Sequence, residues 1–418
     1  MKHALAPVAA LLISVSILLT GQGLQGTLLP VRAGLENFPT VLIGAMGALY
    51  FLGFTVGCLK GGELVRRVGH VRVFLAMTAL ASATPLVHGV IIEPILWGIL
   101  RFVTGFCFSV LYVVIESWLN ERSSNENRGI VFSTYAMITL TVMAVGQMMT
   151  LLYDPSEIEL FIIASILVSI GALPVALSSG ETPEQPEHTA VDLRRLFAIS
   201  PTGVTSCLAA GLANGAFWSL APIFTASVSS GTQLAAWFMT AAVFGGAAFQ
   251  WPLGLLSDYV SRRAVLIVVA IAGCFAGLAL TVFAGQLTLV TASALGFIWG
   301  GLAFTLYTIA VAYANDYADA SEFVMVSAGL LLMYGIGSTI GPFMASAVMA
   351  VLGAGTLFLF GAIAHALLAC YATIRVFRRG DYELDEPITF SDALTATATA
   401  SLVYEEEGYT ETDEEDEE

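Results

Sequence analysis

Two ionisable side chains, Arg101 and Glu116, stand inside otherwise apolar stretches of this 418-residue chain. A charge in such surroundings is costly and persists where it faces an acceptor, a cavity or a ligand. Arg101 offers a rigid fork of donors suited to a carboxylate-like group. Bonds to neighbouring helix carbonyls and amides would satisfy it equally. Glu116 can accept a charge-assisted bond from Arg66, Arg67 or Arg128, either as a static pin or as a contact that breaks and reforms. Neutral polar groups follow: Gln22, Gln25, Gln147, Asn214, Trp218, Gln250 and Tyr307. Each alone is explained by an interhelical hydrogen bond.

Covalent and metal chemistry find little to work with. The cysteines (Cys58, Cys107, Cys207, Cys274 and Cys370) lie singly within apolar segments and read as packing residues. The histidines (His3, His70, His88, His188 and His365) are scattered. No nucleophile–base pair, metal set or phosphate loop is evident, so neither an enzyme nor a cofactor is expected.

These residues must be positioned by membrane-crossing helices. Hydrophobic residues make up 57% of the chain and charged ones 11%, with mean hydropathy +0.83. One soluble core could not hide that much apolar surface, so a lipid bilayer is the expected partner. Segments of about 20 mostly apolar residues fall at 7–30, 41–60, 71–92, 94–119, 129–152 and 158–178. After a polar interval come 201–228, 233–256, 264–285, 287–314, 323–351 and 354–377. The first follows Lys2 as a signal peptide would, but its apolar run is longer, and a retained helix is expected. With the N-terminus inside, 14 of the 16 Lys and Arg residues fall on the cytoplasmic side. Arg32 lies outside and Arg101 within a span. Both termini are therefore expected in the cytoplasm.

The net charge of -16 belongs to the end of the chain. Residues 381–418 hold 15 of the 32 acids and no Lys or Arg. The remaining body is almost neutral, with nothing to bind nucleic acid. The domain organisation reads as a six-helix bundle over 1–177, a polar linker over 178–200, a second six-helix bundle over 201–377, and a disordered acidic tail over 378–418. Within the linker, 192–197 is expected as a short amphipathic turn on the membrane surface.

The two bundles repeat. Gln22-Gly23 matches Asn214-Gly215, Thr27-Leu28 matches Ser219-Leu220, and Pro30 matches Pro222, all 192 positions apart. The basic stretch beginning Gly62 matches that beginning Gly254 at the same offset, with Arg66 falling on Asp258. Leu111-Tyr112 matches Leu306-Tyr307, and Asn120-Glu121 matches Asn315-Asp316, at 195. Six spans per copy make the repeats parallel, related by an axis along the membrane normal. The fold class is an all-α membrane protein: twelve transmembrane helices in two pseudo-symmetric six-helix bundles.

Gly62-x3-Arg66-Arg67-x-Gly69 and Gly254-x3-Asp258-x3-Arg262-Arg263 resemble the loop motif of the major facilitator superfamily. Arg101-x3-Gly105 resembles its arginine motif, and Ile115 to Glu121 followed by Arg128-Gly129 resembles a bacterial branch of mostly unassigned substrate. The resemblance covers residues 5–377. It departs where Arg66 replaces the usual acid, Val71 a common base and Ser261 a Gly. The Gly-Pro motif usual in the fifth span is Gly146-Gln147 here.

The resemblance implies a monomeric multi-pass transporter of the bacterial inner membrane, moving a small-molecule substrate by alternating access. Its substrate path is expected between the halves, lined from helices one, four, five, seven, eight and ten. Gln22, Gln25, Arg101, Gln147, Asn214, Trp218, Gln250 and Tyr307 are the candidates. Gating is expected from Gly62, Arg66, Arg67, Gly69, Glu116, Arg128, Gly254, Asp258, Arg262 and Arg263, with Glu116 supplying the carboxylate missing at Arg66. No acid lies mid-span, so a coupling proton would use Glu116, His88 or the substrate, and a neutral or weakly anionic metabolite fits better than a cation. The rival reading is a membrane sensor or assembly protein that kept the fold without transport.

Overall fold

The computed structural model describes residues 8–123, 128–177, 192–229, 231–319 and 322–378, without the side chains of Arg128 and Arg378. The acidic tail and most of the linker lie outside the described residues. Among the described residues, twelve helices are long and apolar enough to cross a bilayer. The first six are α1 (Ala9–Leu35), α2 (Thr40–Val68), α3 (His70–Val90), α4 (Pro94–Glu121), α5 (Ile130–Leu151) and α6 (Glu159–Ala176). The second six are α7 (Pro201–Val228), α8 (Thr232–Tyr259), α9 (Arg262–Val282), α10 (Leu289–Asn315), α11 (Phe323–Leu352) and α12 (Ala354–Phe377).

The helices that carry polar candidates are fixed by local chemistry. In α4, Pro94 opens the helix and the Glu93 carboxylate accepts from the backbone N–H groups of Ile95 (3.2 Å) and Leu96 (2.6 Å). In α7, Pro201 follows Ser200, whose hydroxyl accepts from Gly203 N–H at 3.2 Å. Pro30 and Pro222, the repeat-related prolines, both lie inside their helices. A bundle tolerates them because neighbouring helices and side chains satisfy the freed backbone groups.

Close packing repeats with the sequence. A Cβ on Gly53 would collide with the Phe102 backbone, and one on Gly105 with Tyr50, so α2 and α4 touch backbone to backbone. Gly245 against Phe297 and Gly300 against Ala242 do the same for α8 and α10. Small residues supply such contacts where lipid offers no hydrophobic drive between helices.

The basic stretch, which falls between the expected spans 41–60 and 71–92, is helical instead. Helix α2 runs through Gly62, Arg66 and Arg67 to Val68, and the chain reverses at Gly69 alone, at φ 93°. Glu63 pairs with Lys60 and Arg67 one turn away on each side, and basic side chains suit a helix C-terminus. The second copy behaves alike: Gly254 to Tyr259 continue α8. The surface turn expected over 192–197 is the short helix Leu193–Ile199, capped by Asp192. Arg195 forks onto Glu322, just before α11, at 2.7 and 3.2 Å.

An even number of crossings returns the chain to its starting face, here the terminal face. At the opposite, far face the halves meet. Gly34 of α1 abuts Ile223 of α7; Gly44 and Gly47 of α2 abut Ser346 and Pro342 of α11 and Ser219 of α7. The Thr240 hydroxyl of α8 approaches the Ala144 carbonyl (3.5 Å) and Gln147 Oε1 (3.4 Å) of α5.

Candidate functional site between the two halves

Between the halves lies a cavity of about 340 Å³, within the range that holds small ligands. Its N-terminal wall is a continuous polar network. Gln22 Nε2 donates to Tyr50 Oη at 2.8 Å, and Tyr112 Oη donates to Gln22 Oε1 at 3.1 Å. The Arg101 guanidinium lies over the Tyr50 ring, its Cζ 4.1 Å from the centroid. Such a cation–π contact is worth roughly 0.5–2 kcal/mol and leaves the guanidinium edge free to donate. Among the described residues no carboxylate pairs with Arg101. Beside it the Thr104 hydroxyl donates to the Leu100 carbonyl at 2.7 Å and lies 3.0 Å from that of Thr84.

Of the expected path residues, Gln22, Gln25, Arg101, Gln147 and Trp218 line the cavity. Gln25 is 1% exposed, and neither amide atom has a hydrogen-bond partner among the described residues. Gln147 is the acceptor for Thr240 already noted. Trp218 is stacked on Phe304, 5.5 Å between centroids and 6° between planes. Asn214, Gln250 and Tyr307 lie outside the lining. Asn214 is buried and approaches the Tyr334 hydroxyl at 3.4 Å, and Tyr307 packs on Tyr334 at 4.7 Å. Tyr334 therefore stands between both residues and the cavity.

The lining helices also differ from expectation. Helices α2 and α11 contribute, through Tyr50, Phe54, Thr55, Cys58, Tyr334 and Gly335, where α8 and α10 were expected. Phe304 of α10 is occupied behind Trp218, which explains the absence of that helix. Tyr50 and Tyr112 were missed. Tyr112 had a signal, because it occupies the repeat position of Tyr307; Tyr50 had none beyond its place one turn from Phe54.

The gating candidates fall into two groups. Glu116 is 5% exposed, lines the cavity, and accepts from Tyr135 Oη at 3.2 Å. The expected pairing with Arg66 or Arg67 is not formed: both are exposed at the end of α2, and Arg67 is held by Glu63. Arg128 falls outside the described side chains. In the second half, Arg262 bridges Asp258 and Asp316, both at 2.8 Å, and buries nearly completely. Arg263 is 6% exposed beside it. Gly62 is helical and half-buried, and Gly254 is buried within α8. The position of Arg262 in the first half is His70, which packs near Trp118 at 6.0 Å. An ion cluster braces one base and an aromatic contact the other.

Outside the membrane, the Glu322 carboxyl is held below the usual glutamate range, first by its hydrogen bond from Arg195.

Known proteins agree with this architecture. Relatives include an uncharacterized MFS-type transporter of Enterobacter sp. (strain 638), 29% identical over 341 residues, covering 80% of this chain and 87% of that protein. The uncharacterized MFS-type transporter YcaD of Salmonella newport is 26% identical over 348 residues, covering 82% and 89%. Among solved structures, the nucleoside transporter NupG superposes with TM-score 0.75 at 15% identity, covering 90% of this chain and all of that one (100%). FucP in its outward conformation gives 0.54 at 16% identity, covering 89% and 99%; at such identities the likeness speaks for the fold alone. The profile described as Major Facilitator Superfamily matches residues 11–228 and 203–400. With two matching halves around one cavity, the chain belongs to the Major Facilitator Superfamily.

Proposed function

We propose that this protein is a secondary-active carrier that moves a small solute across a bacterial inner membrane by alternating access, with the terminal face in the cytoplasm. The observation that carries the reading is the cavity at the junction of the pseudo-symmetric halves, with the Arg101 guanidinium, which no carboxylate among the described residues pairs, on its wall. Parallel-repeat carriers hold their solute at that junction and rock one half against the other. The excess of Lys and Arg on the terminal face supports the orientation. The far-face contacts of α1, α2 and α5 with α7, α8 and α11 would close the extracellular side in this conformer.

A neutral or weakly anionic solute suits Arg101, and the working unit is a monomer. A proton is the candidate coupling ion, with Glu116 or the solute as its carrier. The units that rock are residues 1–177 and 201–377, tethered by 178–200, and 378–418 lie in the cytoplasm. The Asp258–Arg262–Asp316 cluster and Arg263 would brace the cytoplasmic base of the second half during that motion.

The test joins flux to geometry. Gly34→Cys with Ile223→Cys, in a background without native cysteines, places two thiols across the far-face closure. In proteoliposomes, oxidation should abolish solute counterflow and reductant should restore it. Full flux with the cross-link in place would refute alternating access here.

A further inference from the structure

Apart from its aromatic surfaces, the cavity lining holds three polar side chains with bonding capacity unmet among the described residues: Arg101, Gln25 and the hydroxyl of Ser338. Among the described residues, Arg101 has no counter-ion for its guanidinium edge, and Gln25 has a buried amide with donor and acceptor both unused. The acidic group among the described cavity-lining residues is Glu116, fifteen residues further along α4 and about 22 Å away at helical rise, so a cation bound beside Arg101 would meet repulsion with little compensation. The surrounding surface is flat and aromatic: Tyr50 beneath the guanidinium, and Trp218 backed by Phe304.

We infer that the cavity selects a small planar organic monoanion, holding its carboxylate on Arg101 and a second group, able both to donate and to accept, on Gln25. This deepens the carrier reading and rests on the same site. The guanidinium fork matches a carboxylate through two parallel hydrogen bonds. The Gln25 amide offers two N–H donors and one carbonyl acceptor, which a hydroxyl, an amide or a lactam edge on the solute would meet. A solute lacking that group leaves the amide as it stands, buried and unsatisfied, and forgoes about the net worth of one hydrogen bond. Among the described lining residues Arg101 is the one cation, so a second carboxylate on the solute would find no partner there, which disfavours dianions.

The probe is 4-hydroxybenzoate, with benzoate, 4-hydroxybenzamide and tyramine as its hydroxyl-free, neutral and cationic counterparts. Binding is read on purified full-length protein by thermal shift and calorimetry. We expect 4-hydroxybenzoate to bind, benzoate to bind about tenfold more weakly, and the amide and amine not to register. Arg101→Lys, which keeps the charge, should weaken 4-hydroxybenzoate about tenfold. Gln25→Leu should erase the difference between 4-hydroxybenzoate and benzoate while benzoate still binds. An amide that binds as well as the anion, unchanged anion affinity in Arg101→Lys, or no binding by either carboxylate at millimolar concentration overturns the inference. Binding without flux would sink the carrier reading alone; flux of neutral solutes indifferent to Arg101→Lys would sink this inference alone.

Discussion

Gly105→Ala is a one-carbon change with two separable consequences. The new Cβ would strike the Tyr50 carbonyl and come within 3.0 Å of the Phe54 nitrogen, both backbone atoms that cannot rotate away. Reaching ordinary contact near 3.4 Å requires α2 and α4 to part by about 1 Å or more, an overpacking strain of about 1–3 kcal/mol. The same parting lifts the Tyr50 ring from Arg101, now 4.1 Å from its centroid, and weakens a contact worth roughly 0.5–2 kcal/mol. Gly300→Ala is the internal control, since it forces Ala242 of α8 from α10 in the other half without touching Arg101. We expect both variants to unfold at lower denaturant concentration in detergent by similar amounts. Only Gly105→Ala should also weaken binding of a carboxylate probe. A Gly105→Ala protein as stable as wild type, or a Gly300→Ala protein equally impaired in anion binding, would refute the reasoning.

Three further outcomes follow from the geometry. Arg262→Met removes one guanidinium from the nearly buried Asp316 and should lower stability in chemical unfolding by more than Asp258→Asn at the more exposed end, which should cost under about 1 kcal/mol; equal costs would contradict the assigned burial. Tyr112→Phe removes the hydroxyl donated to Gln22 and should cost about 0.5–1.5 kcal/mol. Tyr307→Phe, at the repeat position, loses a hydroxyl with no partner among the described residues and should not destabilise at all. Because the Glu322 carboxyl is lowered in the folded protein, its contribution is present above the ordinary glutamate pKa and is lost as pH falls through its folded value. Glu322→Gln should therefore lower the melting temperature at neutral pH, and the difference should vanish in acid.

The elements were legible because the physics that makes them is local. Apolar runs of bilayer length announced all twelve helices. The basic stretch after Gly62 misled because its helix is stabilised by pairing across one turn, Glu63 with Lys60 and Arg67, which apolar patterning does not register. The cavity was legible only in part. Arg101, Gln22, Gln25 and Gln147 stood out as polar groups among apolar ones, but a polar type does not say which way a helix is turned. Lipid and protein interior are equally apolar, so no alternation marks the cavity face of α2, and Tyr50 looked like any other aromatic. Asn214 and Tyr307 lie outside the cavity lining, although Gln22 and Tyr112 at their repeat positions belong to it. Tyr334 of α11, packed against both, breaks that equivalence.

The contact between Arg101 and Tyr50 lies wholly within one half, on two helices whose glycines lock them together. Trp218 reaches the cavity from the other half. If the halves move as proposed, the charged contact would stay a fixed ruler while the gap beside it changes. Solute charge would then be read identically in every conformer, and solute bulk by how far the gap can close. Two anions alike in charge and polar edge but unequal in thickness should then bind the resting protein alike and be delivered at unequal rates.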